Sequence, residues 1–152
     1  DRVLAMADAF LERGVPIDGI GFQMHIDADH PPADAIRQAF AKVVARGLKV
    51  RISELDISVN RDENLSRLTL ETADLQRKKY EEVARIYREV VPPALRGGIT
   101  VWGITDGDSW IPGFRDRRDW PLLFNADFSP KPALAGLAEG LGTLEDRATS
   151  EP

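Results

Sequence analysis

At 152 residues, the chain is long enough for one domain with a real hydrophobic core. Its net charge of −5 removes the electrostatic case for nucleic acid or an anionic membrane as partner, and no apolar run approaches the roughly 18 residues of a membrane span. Without cysteine it has neither disulfides nor thiolate metal sites, and its redox compartment stays open.

The first segment, DRVLAMADAFLERG, reads as a helix already under way. Val3, Leu4, Ala7, Phe10 and Leu11 keep a helical period and Gly14 ends it. A chain that starts inside a helix, with no basic-led apolar leader, is expected to be a piece of something longer. GIGFQMHI (Gly19–Ile26) then alternates Ile20, Phe22, Met24 and Ile26 against Gly21, Gln23 and His25, which predicts a strand. In PPADAIRQAFAKVVARG, the residues Ala35, Ile36, Ala39, Phe40, Val43 and Val44 form a helical stripe. Pro32 suits its first turn and Gly47 its C-terminal end.

LKVRISELDI is the second predicted strand. A polar stretch from Ser58 to about Thr72 is long for a connection, and such loops are often functional. The next helix, Ala73–Val91, carries Leu75, Val83, Ala84, Ile86, Tyr87 and Val90, and Pro92 and Pro93 stop it. GGITVWGIT (Gly97–Thr105) is the third strand, followed by a long aromatic loop. A last helix starts near Lys131 and fades near Leu141. Residues 142–152 read as a polar tail. The order is one helix and then three strand–helix units, so the fold class is α/β with a parallel sheet. Three parallel strands do not close a barrel.

Chemistry-bearing residues gather where each strand meets its outgoing loop. Gln23 and His25 share a face with Gly19 and Gly21. Val50, Ile52, Glu54 and Asp56 are expected on one face, apolar low down and acidic at the top. Trp102 lies on the Thr100 and Ile104 face. A lone strand-end Glu or His is ordinarily a rim residue, and a lone Trp is ordinarily core. Three consecutive strands that end this way suggest a site.

Four motifs, GIGFQMHI, RISELDIS, ITVWGITDGDSW and PLLFNADFSPKPA, together resemble the family 10 glycoside hydrolases, the β-1,4-xylanases, in order and spacing. The resemblance covers Asp1 to about Leu141. It implies the C-terminal part of a (β/α)8 TIM barrel, about strands 6–8 with helices 5–8, so that residues 1–141 are part of a catalytic domain and 142–152 a tail. It also implies a retaining endo-β-1,4-xylanase acting on xylan or xylooligosaccharide, secreted as a full-length protein, with no cofactor and no metal. Glu54 matches the catalytic nucleophile. His25 and Asp56 match a network that orients and tunes it. Gln23 matches a neutral hydrogen-bonding group near the catalytic acids. Trp102 and Trp110 match aromatic walls around the sugar, a task suited to indole faces against pyranose C–H groups. Ser53 stands where the family usually has Thr, and Asn125 where it often has Asp.

The family's acid/base glutamate lies in an Asn-Glu motif after the fourth strand, and that dipeptide does not occur in these 152 residues. Retention needs two carboxyls about 5–5.5 Å apart. Glu54 and Asp56 are two apart on one strand, roughly 6.5–7 Å at Cα, and both would stand on the same side of the bond. The partner acid is therefore expected before residue 1, and the isolated chain is expected to be inactive or nearly so. The alternative is a non-catalytic sugar-binding or self-assembling module, its exposed sheet edges pairing with the N-terminal half of the barrel or with another copy. HIDADH (His25–His30) offers N and O donors, but it runs from a strand into Pro31-Pro32 with no further His to complete a zinc site. The Arg115–Arg118 run reads as a solvated loop, and no phosphate-binding glycine loop is present.

Overall fold

The chain is described by a computed structural model covering residues 2–142. Asp1 and residues 143–152, most of the expected tail, lie outside the described residues. The elements in chain order are α1 (Arg2–Glu12), β1 (Gly19–Phe22), β2 (His25–Asp27), α2 (Ala33–Val44), β3 (Lys49–Ser58), α3 (Leu70–Val90), β4 (Arg96–Val101), α4 (Trp110–Arg115) and α5 (Pro132–Leu141). Short 3-10 turns sit at Pro93–Leu95 and Asp106–Asp108.

All strand pairings among these elements are parallel, and β3 is central. The predicted first strand is two pieces. β1 pairs with the start of β3, from Gly19 opposite Lys49 to Phe22 opposite Ile52, and β2 pairs with its end, His25 opposite Asp56. The break falls at Met24, whose φ of 66° is left-handed, an unusual state for a residue with a Cβ. Both pieces lie on the same edge of β3. The Glu54 N–H donates to Gln23 O, the Asp56 N–H to Met24 O, and the Ala28 N–H to Ser58 O. On the opposite edge, Leu55 O accepts from the Trp102 N–H that follows β4.

Helices cover one face of this sheet. Val50, Ile52, Leu55 and Ile57 of β3 are fully buried with Phe40 and Val43 of α2 and Tyr80, Val83 and Ile86 of α3. Phe40 packs edge-on against Phe22 (centroids 5.1 Å) and Tyr87 (6.0 Å). On the other face, Gly19, Gly21, Arg51, Thr100 and Trp102 are exposed, as a barrel segment with an open interior requires.

Three expectations change. Helix α3 starts at Leu70, because the Thr69 hydroxyl accepts from the Thr72 N–H while the Thr72 hydroxyl serves the Thr69 N–H. The polar loop shrinks accordingly. Leu75 is 49% exposed, and the buried face of α3 instead carries Gln76, Lys79 and Tyr80. The third strand stops at Val101, before Trp102. Gly103, with φ of 109°, turns the chain where a Cβ would strike Leu122.

Candidate active site

The site begins with an irregularity in β3. Between the Phe22–Ile52 pair and the His25–Asp56 pair, the neighbouring chain advances three residues and β3 advances four. The pairing with β4 shifts over the same stretch, between Ile52 and Leu55. β3 therefore carries a bulge at Ser53–Glu54, and a bulge reverses which face each later side chain takes. Leu55 and Ile57 continue the buried face of Val50 and Ile52. Glu54 and Asp56 turn to the other. This corrects the expectation that Val50, Ile52, Glu54 and Asp56 share a face.

On that polar face a linear chain of contacts forms. Trp110 Nε1–H donates to Asp56 Oδ2 at 2.7 Å. The same oxygen lies 2.9 Å from His25 Nδ1, and His25 Nε2 lies 3.2 Å from Glu54 Oε2. Gln23 Nε2 donates to Glu54 Oε1 at 3.4 Å. The rings of His25 and Trp110 meet edge to face at 5.1 Å. Gln23, His25, Glu54, Asp56 and Trp110 are thus brought together from three separate stretches of sequence. Trp102 stands apart: it is 47% exposed, and its backbone N–H donates to Leu55 O of the site strand.

The two acids differ in environment. Asp56 is buried, and burial raises its pKa from the ordinary value, against the opposing pull of the Trp110 and His25 hydrogen bonds. The Glu54 side chain keeps 23% exposure. Asp56 thus has both partners fixed inside the protein, whereas Glu54 presents a carboxylate to the open face. A cavity of about 360 Å3 opens on the Asp56 side of His25, lined also by Asp27, Arg61, Trp110 and Arg117.

The HIDADH donors do not converge: Asp27 receives Arg61 at 3.1 Å. Among the described residues no group of three or more His, Asp or Glu is placed to hold a metal ion.

The Arg115–Arg118 run is exposed at Arg115, Asp116 and Arg118, as a solvated loop would be, but Arg117 is drawn inward. Arg115 covers the rings of Trp110 and Phe114 at 5.7 and 5.5 Å. Arg117 is 15% exposed and reaches Ser58 Oγ at 3.0 Å and Asp119 at 3.3 Å, while Arg118 donates to Ser66 O. Sequence reasoning passed over three groups around the site: Ser58, Asp119, and the buried pair of Asp106 with Lys131 (2.9 Å). The pair was present in the quoted motifs, Asp106 in TDGD and Lys131 between two prolines in PKPA, but 25 residues apart.

Comparisons with known proteins bear on the family of the chain. The family model for glycosyl hydrolase family 10 matches residues 1–140. Endo-1,4-beta-xylanase A of Cellvibrio japonicus (strain Ueda107) is 46% identical over 149 residues, covering 90% of this chain and 24% of that protein. The solved native xylanase10C from Cellvibrio japonicus superposes with a TM-score of 0.88 at 40% identity, over 92% of this chain and 32% of that one. A mutant of that xylanase, in complex with xylopentaose, gives 0.87 at 40% identity, over 92% and 30%. The chain spans about a quarter of the length of the curated relative. It belongs to glycosyl hydrolase family 10, and its parallel sheet with helices on one face is a part of that family's (β/α)8 barrel.

Proposed function

We propose that this chain carries the nucleophile side of a retaining endo-β-1,4-xylanase site, with Glu54 as the nucleophile. The observation that carries the reading is the contact chain Trp110–Asp56–His25–Glu54. It leaves one carboxylate enclosed and the other open to solvent. Glu54 has a partner for each oxygen, Gln23 on Oε1 and His25 on Oε2, so its orientation is set before sugar arrives.

Both ring nitrogens of His25 face carboxylate oxygens. Both contacts become hydrogen bonds only when the unit holds a second proton, as an imidazolium or as a carboxylic acid. Asp56 is held by two internal partners, Trp110 and His25, and Glu54 is the carboxylate left facing the open side, free to attack. In the reaction, a Glu54 oxygen bonds to the anomeric carbon as the glycosidic C–O bond breaks, and the leaving oxygen takes a proton from a second carboxyl. Water then attacks the glycosyl-enzyme and regenerates Glu54.

Asp56 is a poor second carboxyl, because it is buried, already bonded and on the same strand. The acid/base group is therefore supplied from outside these 152 residues. Gln23, Trp102 and Trp110 contact the sugar around the cleavage point. Xylan is the substrate, the full-length protein is secreted, and the open sheet edges pair with the rest of the barrel.

The test is a reducing-sugar assay on xylan with the 152-residue chain, alongside Trp fluorescence during a xylopentaose titration. The expected result is turnover at the background level, equal in Glu54→Ala, with a sugar-dependent fluorescence change. Robust turnover by the chain alone that Glu54→Ala abolishes refutes the external acid. No fluorescence change at any sugar concentration counts against the sugar-binding role of the two Trp residues.

A further inference from the structure

The contact chain that holds Glu54 ends at Trp110, and Trp110 does not belong to the sheet. It stands on α4, in a segment that leaves β4 and returns over the strand ends, and it meets a carboxylate 54 positions away in sequence. A six-residue helix has little stability of its own, so the indole's position depends on what fixes the segment at its two ends.

Each end is fixed by a buried carboxylate. At the first, Asp106 Oδ1 accepts from the Leu122 N–H at 2.8 Å, and Lys131 Nζ lies 2.9 Å from Oδ2. At the second, Asp119 has a fully buried side chain. Its Oδ1 accepts from the Val59 N–H (3.0 Å) and the Trp120 N–H (2.8 Å). Its Oδ2 accepts from the Ser58 hydroxyl (2.5 Å) and lies 3.3 Å from Arg117. Arg117 Nη2 also donates to Ser58 Oγ, closing a three-membered knot.

The position of this knot is what matters. Ser58 ends the strand that carries Glu54 and Asp56, and Val59 follows it directly. Asp119 therefore ties the Trp110 segment to that strand two residues beyond the carboxylate that Trp110 touches. A shift of the segment along β3 would change the Trp110–Asp56 distance directly. Two of the four contacts on this enclosed carboxylate, from the Ser58 hydroxyl and the Val59 N–H, cross to that strand and its end, and a shift that broke them would leave buried polar groups unsatisfied.

We propose that Asp119, with Ser58 and Arg117, is a positioning clamp that sets the Trp110 indole on Asp56 and, through His25, the orientation of Glu54. Asp119 touches no reacting atom. The last step of this chain rests on the glycosidase reading above, whereas the clamp itself is a property of the sugar-free protein and is tested there.

The test is the indole N–H region of the proton–nitrogen spectrum of the 15N-labelled chain without sugar. The sequence has three Trp, and Trp110→Phe identifies the Trp110 signal by its loss. In the wild type, this proton is expected downfield and protected from exchange by its bond to a carboxylate. In Asp119→Asn, it is expected to move toward the free-indole position and to lose at least about tenfold in protection. Ser58→Ala removes only one of the four contacts and is expected to move the signal the same way by less. It keeps the test open if Asp119→Asn fails to fold. Arg118→Ala, on the same segment but outside the knot, is expected to leave the signal in place. A Trp110 signal that stays fixed and protected in folded Asp119→Asn or Ser58→Ala overturns the clamp, and does so without bearing on the glycosidase reading.

Discussion

Replacing Lys131 by Met removes the cation from a deeply buried charge pair. Its side chain is 1% exposed and its ammonium sits 2.9 Å from Asp106, with a further hydrogen bond of 2.7 Å to Trp120 O. At an effective dielectric near 20, two unit charges at that spacing attract by about 5–6 kcal/mol. The cost of desolvating both ions offsets much of this, so the intact pair contributes little net stability. Breaking it is different, because Asp106 keeps its burial and loses its counter-charge, and losses of about 3–5 kcal/mol follow such substitutions.

The pH dependence gives this prediction its sign. Burial already raises the Asp106 pKa, and Lys131 opposes that rise. Without Lys131 the folded value climbs further above the unfolded one. A raised carboxyl pKa means stability that is whole below about pH 4 and is lost as pH rises through the folded value. The Lys131→Met deficit is therefore expected to be largest at pH 7 and to shrink toward about 1 kcal/mol below pH 4, where Asp106 is neutral. Urea denaturation at both pH values measures it. The double variant Lys131→Met/Asp106→Leu is expected to regain most of the loss. A deficit under about 1 kcal/mol at pH 7, or one of equal size at both pH values, would refute the reasoning.

Further outcomes follow from other contacts. Asp56→Asn removes a buried carboxyl of raised pKa, so its melting temperature should gain on the wild type as pH rises from 3 to 7; a wild type that gains instead contradicts the assigned burial. Gly136→Ala places a Cβ against the Arg77 carbonyl oxygen, so α5 must lift from α3, with a loss of about 1–3 kcal/mol in chemical denaturation. Tyr80→Phe deletes the bond from its buried hydroxyl to Pro121 O, but that oxygen still accepts from the Ile57 N–H; the expected loss is about 1 kcal/mol or less.

Much of the fold was legible because it rests on local periodicity. The stripe of Ile36, Phe40 and Val43 is buried as its spacing requires, and Pro92 ends α3 where proline must. What escaped was non-local or geometrically irregular. The bulge in β3 leaves a trace, since apolar residues fall at 50, 52, 55 and 57 with one gap of three. Reading straight alternation through that gap put Glu54 and Asp56 on the wrong face. Met24 gives no such trace, because nothing in its side chain announces a left-handed backbone. The start of α3 was hidden because Thr72, not a Glu or Gln, completes the cap of Thr69. Arg117 read as a surface cation because its partners, Ser58 and Asp119, come together only when the chain after β4 folds back over β3. The Gln23–His25–Glu54–Asp56 grouping was expected from the family resemblance, not from strand alternation, and the exposure difference between the two acids required the packing around them.

The central claim is that Glu54 is the group that attacks the sugar. It is tested most directly with an activated xyloside bearing fluorine in place of the C2 hydroxyl and a dinitrophenolate leaving group. Such a leaving group departs without a proton, so the step needs the nucleophile but not the acid. Incubation with the chain, proteolysis and mass spectrometry should find one fluoroxylosyl unit esterified to Glu54, and none in Glu54→Gln. A label on Asp56, or an unlabelled chain at saturating reagent, would contradict the assignment.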